Sequence, residues 1–182
     1  LTLRAFTKNE APLIPKGHEA AIEQWALPSV PASKAIQPAN GKLTVDRNND
    51  AITLTGNNFR IAFSAQSGGM TELSYNGKNL IKEGLQSNFW RPLTDNDIPN
   101  GHLYRCLTWK TAGQDARLEN LDITENQQTV TLTATYKMEA QDSKLQTIYD
   151  IHPDGAVRVS MHFTPGKQAL NEMPRLGMRM IL

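Results

Sequence analysis

The sequence holds a single cysteine, Cys106, among 182 residues, so no disulfide can form within the chain and a disulfide-stapled scaffold is excluded. It holds no long apolar run: its longest stretches fall far short of the ~20 residues that a membrane helix needs. It carries no excess of either charge, with nineteen Lys and Arg against eighteen Asp and Glu for a net +1. Without a basic stripe or a block of like charge, neither a nucleic-acid surface nor a charged disordered tail is expected. It has no G-x-S-x-G elbow, no phosphate-cradling glycine loop and no H-E-x-x-H. Its histidines are His18, His102, His152 and His162, and none pairs at metal-ligand spacing. Cys106 lies four residues after His102, which is not a zinc motif on its own, so no metal site is expected. The first residue is Leu1 and no signal peptide is visible, which reads as an excised fragment or a processed chain.

What is present is ordinary for a globular protein, with 39% hydrophobic and 20% charged residues. Residues 1–27 read as a strand (1–7), a Pro-containing turn (9–17) and a second strand, E-A-A-I-E-Q-W-A-L, over 19–27. That last piece also has helix propensity, but a lone helix so short needs packing to persist. Residues 28–41, P-S-V-P-A-S-K-A-I-Q-P-A-N-G, read as an extended linker. From Lys42 onward short alternating segments take over. Phe59, Ile61 and Phe63 alternate with Arg60, Ala62 and Ser64; Asn76-Gly77 predicts a type I′ hairpin, whose central residues both need positive φ. Further strands are predicted at 70–75, 117–124, 128–138, 144–151 and 156–164, with turns at 125–127, 140–143 and 153–155. Val130, Leu132, Ala134 and Tyr136 share one face, and Val157, Val159, Met161 and Phe163 share another. No segment after Lys42 shows a helical period over eleven or more residues. The fold class is all-β, an antiparallel sandwich. Residues 176–182, L-G-M-R-M-I-L, read as a strand in full stride, whose open edge implies that the domain continues or that a partner covers it.

The most unusual stretch is 88–101, N-F-W-R-P-L-T-D-N-D-I-P-N-G. Pro92 and Pro99 each fix φ and remove a donor, so this is a shaped loop. Phe89 and Trp90 call for burial; Thr94, Asp95, Asn96 and Asp97 favour turns and caps. Asp95 and Asp97 form the best carboxylate pair. A glycosidase needs two carboxyls ~5–9.5 Å apart in opposite protonation states. In a turn, by contrast, residues two apart diverge and meet backbone N–H groups that lower their pKa. The turn-and-cap role therefore outweighs contact with sugar hydroxyls or a cation, and both outweigh a catalytic dyad. Trp25, Trp90 and Trp109 could stack on a pyranose, but in a sandwich core packing is the commoner use.

F-W-R-P-L-T-D-N-D at 89–97 resembles a hallmark of the multidomain β-galactosidases of glycoside hydrolase family 2. Three more pieces agree in order: G-H-E-A-A-I-E-Q-W at 17–25, W-K-T-A-G at 109–113 and M-P-R-L-G at 173–177. The resemblance implies that 42–182 is the N-terminal part of the C-terminal small-chain domain, a super-sandwich similar to galactose mutarotase. Residues 1–27 would then be the tail of an immunoglobulin-like domain, joined by the linker at 28–41. The family hydrolyses terminal β-D-galactosides with retention, using two glutamates on a separate (β/α)₈ barrel, so no catalytic residue is expected in this chain. In the family the loop after D-N-D borders the active site and moves with the substrate; here it is 99–104, P-N-G-H-L-Y. Pro99 stands where the family often has glycine, which restricts that motion. The family's sugar-stacking tryptophan falls after the last residue here.

The resemblance thus implies a non-catalytic portion that walls and gates a site carried by the barrel. Asp95, Asn96, Asp97, Asn100, Gly101 and His102 would be substrate-proximal, and Phe89, Trp90 and Arg91 would anchor the loop. Partners would be the rest of the parent chain and a galactoside, with a homo-oligomeric parent; neither nucleic acid nor membrane is expected. No cofactor is expected in this fragment, although the parent enzyme would use Mg or Na. Periplasm and cytoplasm are both open. The alternatives are an autonomous carbohydrate-binding module and a purely structural interdomain module.

Overall fold

The computed structural model describes residues 1–26, 41–126, 129–138, 142–166 and 171–182. The chain divides into two compact units, Leu1–Gln37 and Pro38–Leu182. The linker expected at 28–41 lies, apart from Gly41, outside the described residues, as do the turn residues Gln127, Ala140 and Gln141.

The first unit is an antiparallel hairpin of β1 (Thr2–Phe6) and β2 (Glu19–Gln24), paired from Thr2↔Gln24 to Ala5↔Ala21, with a register shift before Phe6↔Glu19. The ambiguous E-A-A-I-E-Q segment is therefore a strand, its backbone groups satisfied by β1 rather than by a helical turn. Thr7 closes the connection, its Oγ1 donating to the Pro15 carbonyl at 2.8 Å and accepting from the His18 amide at 3.0 Å. Every residue of both strands is exposed, including Leu3, Phe6 and Ile22. Two strands without a covered face are marginal alone.

The second unit is an antiparallel β-sandwich. One layer has five strands: β3 (Thr44–Arg47), β4 (Ala51–Thr55), β5 (Phe59–Ser64), β6 (Met70–Tyr75) and β7 (Lys78–Asn79), paired in that order. Asn76 and Gly77 take φ of 50° and 75°, as the β6–β7 turn requires. Between β7 and the second layer comes β8 (Glu83–Asn88). The second layer has four strands: β9 (Arg117–Glu125), β10 (Val130–Met138), β11 (Ser143–Ile151) and β12 (Val157–Thr164). β13 (Gly177–Ile181) pairs with β8.

Strand alternation builds the core. Ile52, Leu54, Phe59, Ile61 and Phe63 turn inward from β4 and β5 to meet Val130, Leu132, Ala134, Tyr149 and Ile151 from β10 and β11. Phe63 and Tyr149 touch across the layers with centroids 4.8 Å apart. Burial drives the phenol pKa of Tyr149 far up and that of Tyr136 to about 12, so both stay neutral donors.

Two features depart from the sequence reading. β8, E-G-L-Q-S-N, has no apolar alternation to announce it; it exists because β13 supplies its ladder, which pairs one edge of the strand at 177–181. Two short helices follow the shaped loop, α1 (His102–Cys106) and α2 (Thr108–Thr111), each too short to show a period. Among the described residues no helix is long and apolar enough to cross a membrane.

Candidate functional site

The 88–102 segment rests on a second, smaller core of Phe89, Cys106, Trp109, Ala112, Met138 and Leu145. Phe89, Trp109 and Phe163 form an aromatic triangle, with centroids 5.8 Å apart for Phe89–Trp109, 6.1 Å for Phe89–Phe163 and 5.8 Å for Trp109–Phe163. Tilted and edge contacts of this kind suit the ring quadrupoles. Phe89 and Trp109 are fully buried, and the Trp109 indole N–H donates to the Asn171 carbonyl at 3.2 Å. The chain enters the loop through Asn88, whose Oδ1 accepts the Trp90 amide at 3.2 Å. Trp90 is half-buried and lies beside His102, with ring centroids 6.3 Å apart.

Gly113 closes the W-K-T-A-G motif for a steric reason. A Cβ there would stand 2.3 Å from the Ser87 carbonyl oxygen of β8, so only glycine lets the segment after α2 run against that strand.

Above this floor, Arg91 and Asp97 clasp the loop. Arg91 Nη1 donates to Asp97 Oδ2 at 2.6 Å and Nη2 to Oδ1 at 2.9 Å, a two-point ion pair. Thr94 adds its amide at 2.6 Å and its hydroxyl at 3.0 Å to Oδ2, while the Asp97 amide returns to the Thr94 carbonyl at 3.0 Å. Asp97 is buried, and the Arg91 bonds, followed by the Thr94 amide, hold its carboxyl far below the usual carboxylate range. A general acid needs the opposite shift, so Asp97 has no proton to give at ordinary pH. The Asp97 carbonyl then accepts the His102 amide at 3.1 Å, joining the clasp to α1.

The residues named from sequence divide in position. Phe89, Asp97 and His102 are buried, and Trp90, Arg91 and Gly101 are intermediate. Asp95, Asn96 and Asn100 are exposed. Gly101 takes φ of 71° as it leads into α1, a conformation that favours glycine. Arg105 Nη1 donates to Asn100 Oδ1 at 2.8 Å and also to the Asn100 carbonyl, bracing the exposed tip. A cavity of about 210 Å³ opens beside Trp90, bounded by Gln86, Asn88, Lys110, Gln114 and Arg179. A larger one of about 390 Å³ adjoins it, with Tyr136, Thr147 and Tyr149 on its wall.

Sequence reasoning did not single out Arg105, Asn171 or Glu172. Arg105 Nε and Nη2 both bind Glu172 Oε1, at 3.0 and 2.6 Å. Asn171 Nδ2 donates to the Arg105 carbonyl at 2.6 Å. Such contacts span more than sixty residues and leave no local signal. Glu172 also comes near His102 and Cys106: among the described residues these three form one metal-capable group, each offering an atom within 4.8 Å of the others. A nitrogen, sulfur and oxygen set does not fit the magnesium or sodium implied for the parent enzyme, because such hard cations take oxygen ligands.

Shape, floor and clasp define an all-β sandwich that presents a stiffened polar loop. Residues 55–182 match the family model described as Beta galactosidase small chain. The chain belongs to that family. It is 28% identical over 178 residues to a β-galactosidase of Priestia megaterium, covering 98% of this chain and 17% of that protein. It is 29% identical over 164 residues to a β-galactosidase of Clostridium acetobutylicum, covering 90% and 18%. To the β-galactosidase small subunit of Latilactobacillus sakei it is 26% identical over 164 residues, covering 79% and 51%. The chain thus spans less than a fifth of the first two relatives and about half of the small subunit.

Proposed function

We propose that this chain is a non-catalytic portion of a retaining β-galactosidase acting on terminal β-D-galactosides. Its loop walls and gates an active site carried by a separate barrel domain. The observation that carries this is the clasp: Arg91 and Asp97, standing inside the family's F-W-R-P-L-T-D-N-D stretch, spend their charges on each other and on Thr94. A loop so fastened presents Asp95, Asn96 and Asn100 outward in a fixed arrangement, as a wall for a polar substrate requires. The gate is 99–104, running from just past the clasp into the first residues of α1. The exposed hairpin β1–β2 fits the tail of a preceding immunoglobulin-like domain, whose remaining strands would cover its apolar side chains.

The test is hydrolysis of a chromogenic β-galactoside by the isolated chain. No turnover is expected. Turnover that persists in a clean preparation and dies with Asp95→Ala would place the chemistry here and end the accessory reading.

The cavity beside Trp90, with amide and cationic side chains around an indole, favours one second reading, an autonomous carbohydrate-binding module. Saturable galactose binding by the isolated chain, followed through its Trp indole signals, would support that reading over the first.

A further inference from the structure

We propose that His102, Cys106 and Glu172 bind one zinc-type divalent cation on the inner side of α1. His102 and Cys106 are one helical turn apart, so both side chains leave the same face of α1. Their Sγ and Nδ1 atoms stand 3.5 Å apart. That is the spacing of two ligands on one tetrahedral zinc, for bonds of about 2.3 Å to sulfur and about 2.0 Å to nitrogen. The carboxylate of Glu172 is within 4.8 Å of the other donors, so a small side-chain movement closes the third corner. Glu172 is held there from two sides: Asn171 bonds Arg105 and Trp109, and Arg105 holds Glu172 itself. Both bonds from Arg105 fall on Oε1, so the carboxylate has a second oxygen to offer.

His102 points the same way. It is 7% exposed, and among the described residues its Nε2 has no hydrogen-bond partner and its Nδ1 meets the Cys106 sulfur. Packing alone therefore leaves a buried imidazole poorly satisfied, which is costly. A metal on Nδ1, the nitrogen beside Cys106, replaces that weak sulfur contact with a strong bond and leaves Nε2 as it is. The mixed donor set selects zinc over magnesium or calcium. Cys106 is fully buried and Glu172 is exposed, so the ion enters from the Glu172 side and water takes the fourth position. As the metal–sulfur bond forms, the thiol proton leaves to solvent. No electron is transferred and no co-reactant is needed. Burial, then the Glu172 charge, raises the thiol pKa in the metal-free chain, and the cation reverses that balance locally.

The experiment titrates the 182-residue chain with Co²⁺, then displaces it with Zn²⁺ in competition with a chromophoric chelator. One equivalent should bind with a thiolate-to-cobalt charge-transfer band, and Zn²⁺ should abolish that band. Glu172→Gln, an exposed change outside the core, should weaken Zn²⁺ by about tenfold or more while the chelator-treated variant stays folded. Cys106→Ser should remove the band; if that variant does not fold, the wild-type band and the Glu172→Gln affinity decide. Co²⁺ bound without a thiolate band would place it on surface groups such as His18, His152 or His162 and overturn the proposal. Unchanged Zn²⁺ affinity in Glu172→Gln, or no stoichiometric binding, would overturn it equally.

Discussion

Arg91 and Asp97 meet in a two-point ion pair, Nη1 to Oδ2 at 2.6 Å and Nη2 to Oδ1 at 2.9 Å, closing the ends of a seven-residue loop on each other. With Asp97 buried and Arg91 half-exposed, removing one partner strands the other. Asp97→Asn should lower the thermal midpoint and loosen 92–101 without altering the sandwich. Hydrogen exchange should show faster labelling of the Thr94 and His102 amides. Arg91→Lys should do the same more mildly, because an ammonium cannot reproduce the fork.

The same pair fixes a pH dependence. The Asp97 carboxyl is depressed in the native state by Arg91 first and the Thr94 amide next. Its contribution to stability is therefore complete above the unfolded-state carboxylate pKa of about 4 and is lost as pH falls through the lower native value. Denaturant midpoints measured from pH 6 downward should decline more steeply for the native chain than for Asp97→Asn.

Phe89→Ala empties one corner of the triangle with Trp109 and Phe163. The expected cost is about 3–5 kcal/mol, from lost transfer energy and a residual cavity. Chemical denaturation followed by tryptophan fluorescence measures it. Trp109 should become more mobile while Phe63 and Tyr149, in the other core, stay packed.

Gly113→Ala puts a methyl 2.3 Å from the Ser87 carbonyl, which belongs to β8 and cannot swing aside as a side chain would. Roughly 1–3 kcal/mol of destabilisation is expected from this overpacking. Gly77, whose substituent would meet nothing within 4 Å among the described residues, is the control: Gly77→Ala carries the strain of its φ of 75°.

Much of this architecture was legible in the sequence. Alternation placed β5, β10 and β12 because each turns an apolar face toward the core, buried in β5, mostly buried in β10 and half-buried in β12, and Asn76-Gly77 announced its own turn. The loop was legible because prolines and paired aromatics fit nothing regular. β8 was not, because its place comes from β13, about ninety residues away. The pairing of Arg91 with Asp97 rather than with substrate was equally hidden: both roles ask for the same residue types, and only burial separates them. His102 and Cys106 stood four residues apart in plain view, but that spacing acquires meaning only once 102–106 is a helix and Glu172 is brought to it.

The gating role is tested most directly by steady-state hydrolysis of a β-galactoside by the intact protein carrying this segment, comparing the native loop with Asn100→Ala and Pro99→Gly. A loop that walls the substrate should lose kcat/KM by about tenfold or more in Asn100→Ala, with the thermal midpoint unchanged, since misplacing a bound substrate is costly. Pro99→Gly, which frees the hinge, should shift kcat and KM together. Kinetics identical to native in both variants would mean that the loop does not meet the substrate and would contradict the role assigned to it.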